Sequence, residues 1–361
     1  MRALFLYTGT HWCGSARAFA VAARGIVARG GQAVAVCSAG TSVVQGFSDH
    51  GIDVVTLPVR RSLTGDSWRV RRLLKDRFVE AVFVHTEREH LVVSSAMRFA
   101  QRGAVIRRIP VGASPTTGRR GAWAARLVPA RVMFSTDADR ARAVGAAGAL
   151  LTPIGVDVAR VENAREESRR RLGIADSALL IACAIDNAPM SRVTVVLRVL
   201  AFLAERHPTL RLLLVGRAAL VSDIRMHAAS LGITSLISTI GEQIDMPSIA
   251  AAADVGWAVA DGDDGAFACL DFMAAGVPIV AERTPIISTY VPDGIAGVLL
   301  PYADPAETAS VVARLLRDNG KRQAMGNAGR TRARRDFSER AMIDGFIEAA
   351  SSGTTPDRTA P

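Results

Sequence analysis

Along almost the whole chain, apolar runs of about four to seven residues alternate with segments of helical period. This alternation restricts the fold more than any single motif. Strand runs separated by helices of ~10–15 residues imply βαβ units and parallel sheets covered by helices on both faces. In the first half the expected strands are residues 3–7, 33–37, 53–57, 81–85, 105–108 and 132–135. Helices are expected over 15–29, 66–75 and 90–102, the first with Ala18, Val21, Ala22 and Ile26 on one face. The pattern then restarts, with strands at 178–183, 210–216, 236–240, 255–259, 279–281 and 297–300. Helices fill the gaps at 192–206, 247–253, 266–275, 305–317 and 321–335, and a last one is expected near 338–350. A chain of 361 residues suits two such domains. With aromatics at only 5%, their cores must be largely Ala, Val, Leu and Ile.

The boundaries follow from composition. Residues 1–155 form a first Rossmann-like domain, and 156–171, a charged stretch after a Pro–Gly turn, read as a hinge. Residues 172–336 form the second Rossmann-like domain. Residues 337–350 are expected to be a crossover helix returning to the first, and 351–361 to be a disordered tail. No apolar run approaches the ~18–20 residues needed to cross a bilayer. The opening MRALFLYTGTHWCGS reads as a first strand, because a secretory leader needs a longer apolar region. Cys13, Cys37, Cys183 and Cys269 are far apart, with no metal-type spacing, so reduced thiols and a cytoplasmic location are expected. The six histidines also lack metal-ligand spacing, and neither a resident cofactor nor a metal is expected.

Charge is unevenly placed. Residues 1–170 hold 26 Lys and Arg against 13 Asp and Glu, a net +13; the remainder holds 18 against 21, a net −3. A basic first half suits an anionic partner: a phospholipid surface, a phosphorylated acceptor or nucleic acid. Nucleic acid is the poorest fit, since no binding module is recognisable and aromatics that could stack bases are sparse. No phosphate-binding G-x-x-x-x-G-K-[ST] loop is present.

The densest motif is DGDDGAFACLDFMAAGVPIVA, residues 261–281. A strand ends, a short acidic loop follows, and a helix opens near Gly265, Ala266 and Phe267. Its free backbone N–H groups and positive dipole end suit a diphosphate. Asp263 precedes this helix and Asp271 lies two turns along it, near enough to one face for both carboxylates to serve one cleft. Asp271 could accept hydrogen bonds from ribose hydroxyls. Equally, Asp263 and Asp264 could simply cap the helix while Asp271 is solvated.

With LDFMAAGVPIVA, VPDGIAGVLLPYADPAETASVVARLLRD and MGNAGRTRARRDFS, the chain resembles the second domain of family 4 glycosyltransferases, retaining enzymes of the GT-B fold. RHPTLRLLLVG (206–216), TPIGVDVARV (152–161), FVHTE (83–87), MFSTDADR (133–140) and CGSARAFAVAARGIVARGGQAVAV (13–36) extend the resemblance over residues 1–350. It implies two Rossmann-like domains facing a cleft, the first binding acceptor and the second the nucleotide-diphosphate sugar. It also implies hexosyl transfer, with retention, to a saccharide or lipid-linked acceptor, as in polysaccharide biosynthesis. Peripheral contact with an anionic membrane through the first domain, at the inner face, is a further expectation. Asp263 and Asp271 occupy the family's two Glu positions, the first near the donor sugar and the second on the ribose. The backbone of Gly265–Phe267, together with Gly14 and Ser15, would contact the phosphates, and Gly155 would border the cleft.

The chain also departs from the family pattern. Asp186 and Ser191 stand where the family carries an Arg and a Lys that neutralise the leaving diphosphate. Arg192 and Arg217 are the nearest replacements for donor binding. Gly265–Ala266 replaces a Phe-Gly pair, and Arg107 and Arg108 stand where a first-domain His is common, as phosphate-bearing acceptor ligands or as surface residues. His85, at a strand end, is the remaining catalytic candidate. The departures leave a second reading, a non-catalytic GT-B-like binding or regulatory protein.

Overall fold

The computed structural model describes residues 1–58, 62–98, 103–113, 118–143, 148–216, 221–241, 245–301 and 304–351. The chain divides into two compact units: Met1–Ile154 with Glu339–Pro361, and Gly155–Ser338. Among the described residues, no helix is long and apolar enough to cross a membrane.

The first unit is built on seven parallel strands: β1 (Arg2–Tyr7), β2 (Gln32–Ser38), β3 (Asp53–Leu57), β4 (Ala81–Val84), β5 (Ala104–Arg108), β6 (Arg131–Phe134) and β7 (Leu150–Leu151). Their order is β3-β2-β1-β4-β5-β6-β7, with Leu4 level with Val34 on one side and Val82 on the other. Alternation sorts the side chains. Leu4, Leu6, Val34, Val36, Val82 and Val84 pack with Val70 and Leu74 of helix Leu63–Asp76 and Val92, Val93 and Ala96 of helix Glu87–Met97. The opposite face holds aromatics: Phe5 stacks on Phe83 with ring centroids 4.8 Å apart, and Phe19 and Phe346 close the cluster. Phe346 belongs to the C-terminal helix Glu339–Ser351, which is pinned here by the Arg24–Glu339 pair (2.6 Å) and by Arg131 donating to the Ala349 carbonyl (2.8 Å). The tail expected to be disordered lies, from residue 352 on, outside the described residues.

The second unit repeats the plan with six parallel strands: β8 (Leu179–Ala184), β9 (Leu210–Val215), β10 (Ile237–Ile240), β11 (Val255–Ala258), β12 (Ile279–Glu282) and β13 (Gly297–Leu300), ordered β10-β9-β8-β11-β12-β13. Cys183, Leu212, Leu214, Val255, Trp257 and Val280 face helices Met190–Ala204 and Pro305–Arg317. Helix Gly262–Ala275 packs on β11, close enough that a Cβ on Gly256 would lie 2.3 Å from the Phe272 ring.

The segment 156–171, expected to be a hinge, lies within the second unit. It carries helix Arg165–Arg171, and buried Arg169 donates to the carbonyls of Ala252, Ala175 and Ala178 at 2.6–2.9 Å. Asp254 ties the same segment to β8, pairing with Arg165 (2.7 Å) and accepting from the amide of Leu180 (2.8 Å). What reads as a run of loose charge includes two arginines, Arg165 and Arg169, that satisfy carbonyls at the end of helix Met246–Ala252 and in the segment before β8.

Candidate functional site

In each sheet, chain order reverses at one point: between β1 and β4 in the first unit, and between β8 and β11 in the second. Outside the carboxyl ends of strands at such a switch, the two flanking loops diverge and leave a crevice. The candidate residues are described at these two places, each unit by itself.

In the second unit, β11 runs into helix Gly262–Ala275, with Asp261 at its N-cap. The helix starts three residues before the expected Gly265, and this corrects which amides are available. The amide of Gly265 donates to the Asp261 carbonyl (3.2 Å), so Ala266 and Phe267 stand in the second turn, where the helix uses its own N–H groups. The first-turn amides, which precede the first i→i−4 bond of the helix, are those of residues 262–264. Gly265 matters for a different reason: a Cβ there would lie 2.1 Å from the Ala260 carbonyl oxygen, so only glycine lets the first turn press against the strand end. At the far end Gly276 takes a left-handed φ of 71°, and Arg330 donates to the carbonyls of Ala274 and Ala275.

Both motif carboxylates lie inside. Asp263 is 4% exposed and Asp271 1%. The alternative of a solvated Asp271 therefore does not hold. Burial, helped by Asp271, pushes the neighbouring Cys269 thiol up to about 12. Asp264 is not a cap. It accepts from Asn187 Nδ2 at 2.6 Å, and Asn187 sits in the loop after β8 with a left-handed φ of 55°. This bond joins the loop after β8 to the first turn of the helix that follows β11. The bond links residues 77 positions apart, and it forms because β8 and β11 are neighbours.

Arg192 opens helix Met190–Ala204 and reaches across the ends of β11 and β12. Its guanidinium contacts Asp261 and Glu282, each at 2.8 Å, and donates to the Val259 carbonyl (3.1 Å). The cation is thus placed beside the first turn of helix Gly262–Ala275 and is shared with two carboxylates. Arg217 lies outside the described residues. Gly155 is buried at the start of the unit, and nothing else in this unit assigns it a role.

At the switch point of the first unit, Glu89 organises the site. Its buried carboxylate accepts from the amides of Thr8 (2.6 Å), His85 (2.9 Å) and Thr86 (2.8 Å), joining the loop after β1 to the end of β4. The Glu89 amide in turn donates to Thr86 Oγ1 (3.2 Å), completing a capping box. The T-x-x-E spacing of Thr86–Glu89 is the sequence signature of such a box. The His85 ring lies against Tyr7 (5.7 Å) and edge-on to Phe19 (6.3 Å). Gly14 and Ser15 open helix Gly14–Ala28 in the same region, where Tyr7 and Cys13 share a 2.9 Å hydrogen bond. His85, Gly14 and Ser15 are therefore brought together.

Arg107 and Arg108 are not. Neighbours on β5, they point to opposite faces. Arg107 lies 3.9 Å from Glu87, and burial lowers its pKa while Glu87 and Glu89 oppose the shift. Arg108 is 2% exposed and donates to Ser135 Oγ at 3.0 Å, so it is an internal residue rather than a surface cation. Among the described residues, no three His, Cys, Asp or Glu side chains gather as a metal ion requires.

Comparison with known proteins locates the strongest likeness in the second unit. Residues 164–332 match the family model described as Glycosyl transferases group 1. A D-inositol 3-phosphate glycosyltransferase of Salinispora arenicola is 31% identical over 212 residues, covering 54% of this chain and 47% of that protein. One of Thermobifida fusca is 29% identical over 239 residues, covering 61% and 54%. The chain thus spans about half the length of these curated relatives. Among solved structures, Anabaena HepE in complex with UDP and glucose superposes with a TM-score of 0.81 at 18% identity, over 98% of this chain and all of that one. WaaG, a glycosyltransferase involved in lipopolysaccharide biosynthesis, gives 0.72 at 17% identity, over 98% and 100%. The shared feature is the fold of GT-B glycosyltransferases: two parallel-sheet α/β domains flanked by helices.

Proposed function

From a second unit whose residues 164–332 match the group 1 glycosyl transferases, we propose that the chain transfers a hexosyl group from a nucleotide-diphosphate sugar, with retention of configuration, to a saccharide or lipid-linked acceptor. One observation carries the reading. The first turn of helix Gly262–Ala275 opens at the switch point of that unit, with Asp263 and Asp271 buried in the same helix. The amides of residues 262–264 and the helix dipole would receive the diphosphate. Asp271 would hold the ribose and Asp263 would lie toward the sugar. Arg192, paired with the N-cap residue Asp261, would supply part of the charge that a leaving nucleoside diphosphate needs, a term worth ~3–4 kcal/mol of barrier per fixed donor. No resident metal enters this reading. In the first unit, His85 would remain the catalytic candidate, its amide held by Glu89, and Gly14 and Ser15 the donor-phosphate candidates.

UDP sugars come first in the test, because HepE is described with UDP and glucose, and phosphorylated acceptors join the panel because the relatives are named for inositol 3-phosphate. Calorimetric titration with UDP-, GDP- and ADP-sugars should give saturable binding of one of them, and Asp271→Ala should abolish it. Incubation of that donor with candidate acceptors should then yield an α-linked product from an α-linked donor. If no nucleotide binds at millimolar concentration, the second reading, a GT-B-like protein without transferase activity, replaces this one.

A further inference from the structure

At the amino ends of β11 and β12, the end of the second sheet remote from the switch-point crevice, lies a cleft of about 430 Å³. Its walls come from the segments that enter these two strands, from residues 161–165 and from the start of helix Asn319–Asp336. The volume falls in the range of about 300–1,000 Å³ usual for small-molecule sites. Helix Gly262–Ala275 runs 14 residues from the switch point and ends at this cleft, so roughly 20 Å separates the two places.

Polar groups dominate the walls. Asn319, Gln323, Asn327 and Arg330 follow one another at i, i+4, i+8 and i+11, which sets them in one stripe along helix Asn319–Asp336. Arg322 adds a second guanidinium from the same helix, and Asn163 and Arg165 add an amide and a third guanidinium from the segment before β8. Each arginine is fixed by main-chain carbonyls. Arg165 donates to Ala253 (2.7 Å), Arg322 to Leu315 (3.0 Å) and Leu316, and Arg330 to Ala274 (3.2 Å) and Ala275 (2.7 Å). Each also keeps a nitrogen over. Among the described residues, Nε of Arg165, Nε of Arg322 and Nη1 of Arg330 make no hydrogen bond. The carboxylate in the lining, Asp254, is already shared by Arg165 and buried Arg169. A planar fork held in place by carbonyls is organised in advance to receive an anion on its remaining donors.

We propose that this cleft binds a small hydroxylated phosphate ester, with the phosphate on Arg165, Arg322 and Arg330 and the hydroxyls on the amides of Asn163, Gln323 and Asn327. Three cations against one shared carboxylate select an anion. Side-chain amides donate and accept at once, which matches the double character of a hydroxyl. No aromatic ring lines the cleft, so a nucleobase has nothing to stack on, and a sugar or polyol phosphate fits where a nucleotide does not. The inference stands apart from the transferase reading, since it uses neither the first turn of helix Gly262–Ala275 nor any activity.

The test is calorimetric titration of the full chain with glucose 6-phosphate, inorganic phosphate and glucose. The expected result is saturable binding of the ester, weakened by added salt, with phosphate at least tenfold weaker and glucose not bound. Arg322→Gln should weaken the ester at least tenfold, the usual scale for one charge-assisted bond. Arg322 also holds two carbonyls, so a second variant leaves the fold alone: Gln323→Glu/Asn327→Asp, at two exposed positions, should abolish binding with unchanged circular dichroism and melting. Arg192→Gln, at the switch point, should bind the ester as the parent chain does. No binding of the ester at millimolar concentration, binding of phosphate or glucose as tight as that of the ester, full binding by the Glu/Asp variant, or loss of binding in Arg192→Gln would each overturn the proposal.

Discussion

Replacing Gly265 by Ala should do the opposite of what the same change does elsewhere in a helix. An alanine Cβ at this position would lie 2.1 Å from the Ala260 carbonyl oxygen and 2.9 Å from its carbon. Ordinary contact begins at 3.4 Å, so the first turn must retreat by about 1.3 Å from backbone atoms that β11 holds in place (3.4 less 2.1). Overpacking of this kind costs ~1–3 kcal/mol, and the absence of a flexible side chain to yield puts it near the upper end. Alanine returns ~1 kcal/mol of helix propensity. The net expectation is a loss of about 2 kcal/mol, or a midpoint lowered by roughly 4–8 °C for a unit of this size. Gly320, in helix Asn319–Asp336, is the control: its Cβ would meet nothing closer than Asp318 Oδ1 at 3.6 Å, so Gly320→Ala should be neutral or stabilising. Thermal and urea unfolding of both variants provides the assay. A displacement near 1 Å at a binding turn can cost on the order of 100-fold in turnover, so Gly265→Ala should lose donor turnover beyond its loss of stability. If Gly265→Ala is as stable as Gly320→Ala, the close approach of the first turn to the strand end is wrong.

Four further outcomes follow from the same structure. Glu89→Ala leaves three part-buried amides without their charged acceptor and should destabilise the first unit by roughly 1.5–3 kcal/mol in urea titrations, with Glu89→Gln in between. Asp254→Ala uncouples Arg165, Arg169 and the Leu180 amide and should cost ~3–5 kcal/mol, because Arg169 stays buried without its carboxylate. His90 is held below its usual 6.5, first by burial, against which its bond to the Val128 carbonyl acts. A depressed histidine pKa means that the unfolded chain takes up the proton first. Its contribution to stability is full above about pH 6.5 and declines as pH falls through that value toward the lower folded-state one, a slope that His90→Gln should remove from unfolding curves at pH 7.5 and 5.5. Donor transfer should persist in excess EDTA, measured as product formed; complete loss restored by a divalent cation would contradict the metal-free reading.

Much of the fold was legible because long strands and helices carry strong periodic signals. Leu179–Ala184 is a plain apolar run, Leu210–Val215 is nearly one, and helix Gly14–Ala28 shows its apolar face directly. Short elements were not. Helices Ser42–Asp49, Arg119–Leu127 and Pro285–Tyr290 have too few turns for a period to emerge, and β7 is two residues long. Charge also misled: 161–171 reads as a solvated hinge, yet Arg169 is buried on carbonyls from three places. At the candidate site, the motif 261–281 located the strand–helix junction, but not where the helix begins. The N-cap is Asp261, and the left-handed Gly262 after it was not visible as a helix start. The bridging residues Asn187, Asp264 and Glu89 depend on which strands become neighbours, information that local pattern does not hold.

The central claim is that a nucleoside diphosphate is received by the first turn of helix Gly262–Ala275. A crystal structure of the chain soaked with UDP tests it most directly. The account predicts diphosphate oxygens within hydrogen-bond reach of the amides of residues 262–264 and the ribose hydroxyls on Asp271. Diphosphate density anywhere else in the second unit, with those amides left to water, would contradict it.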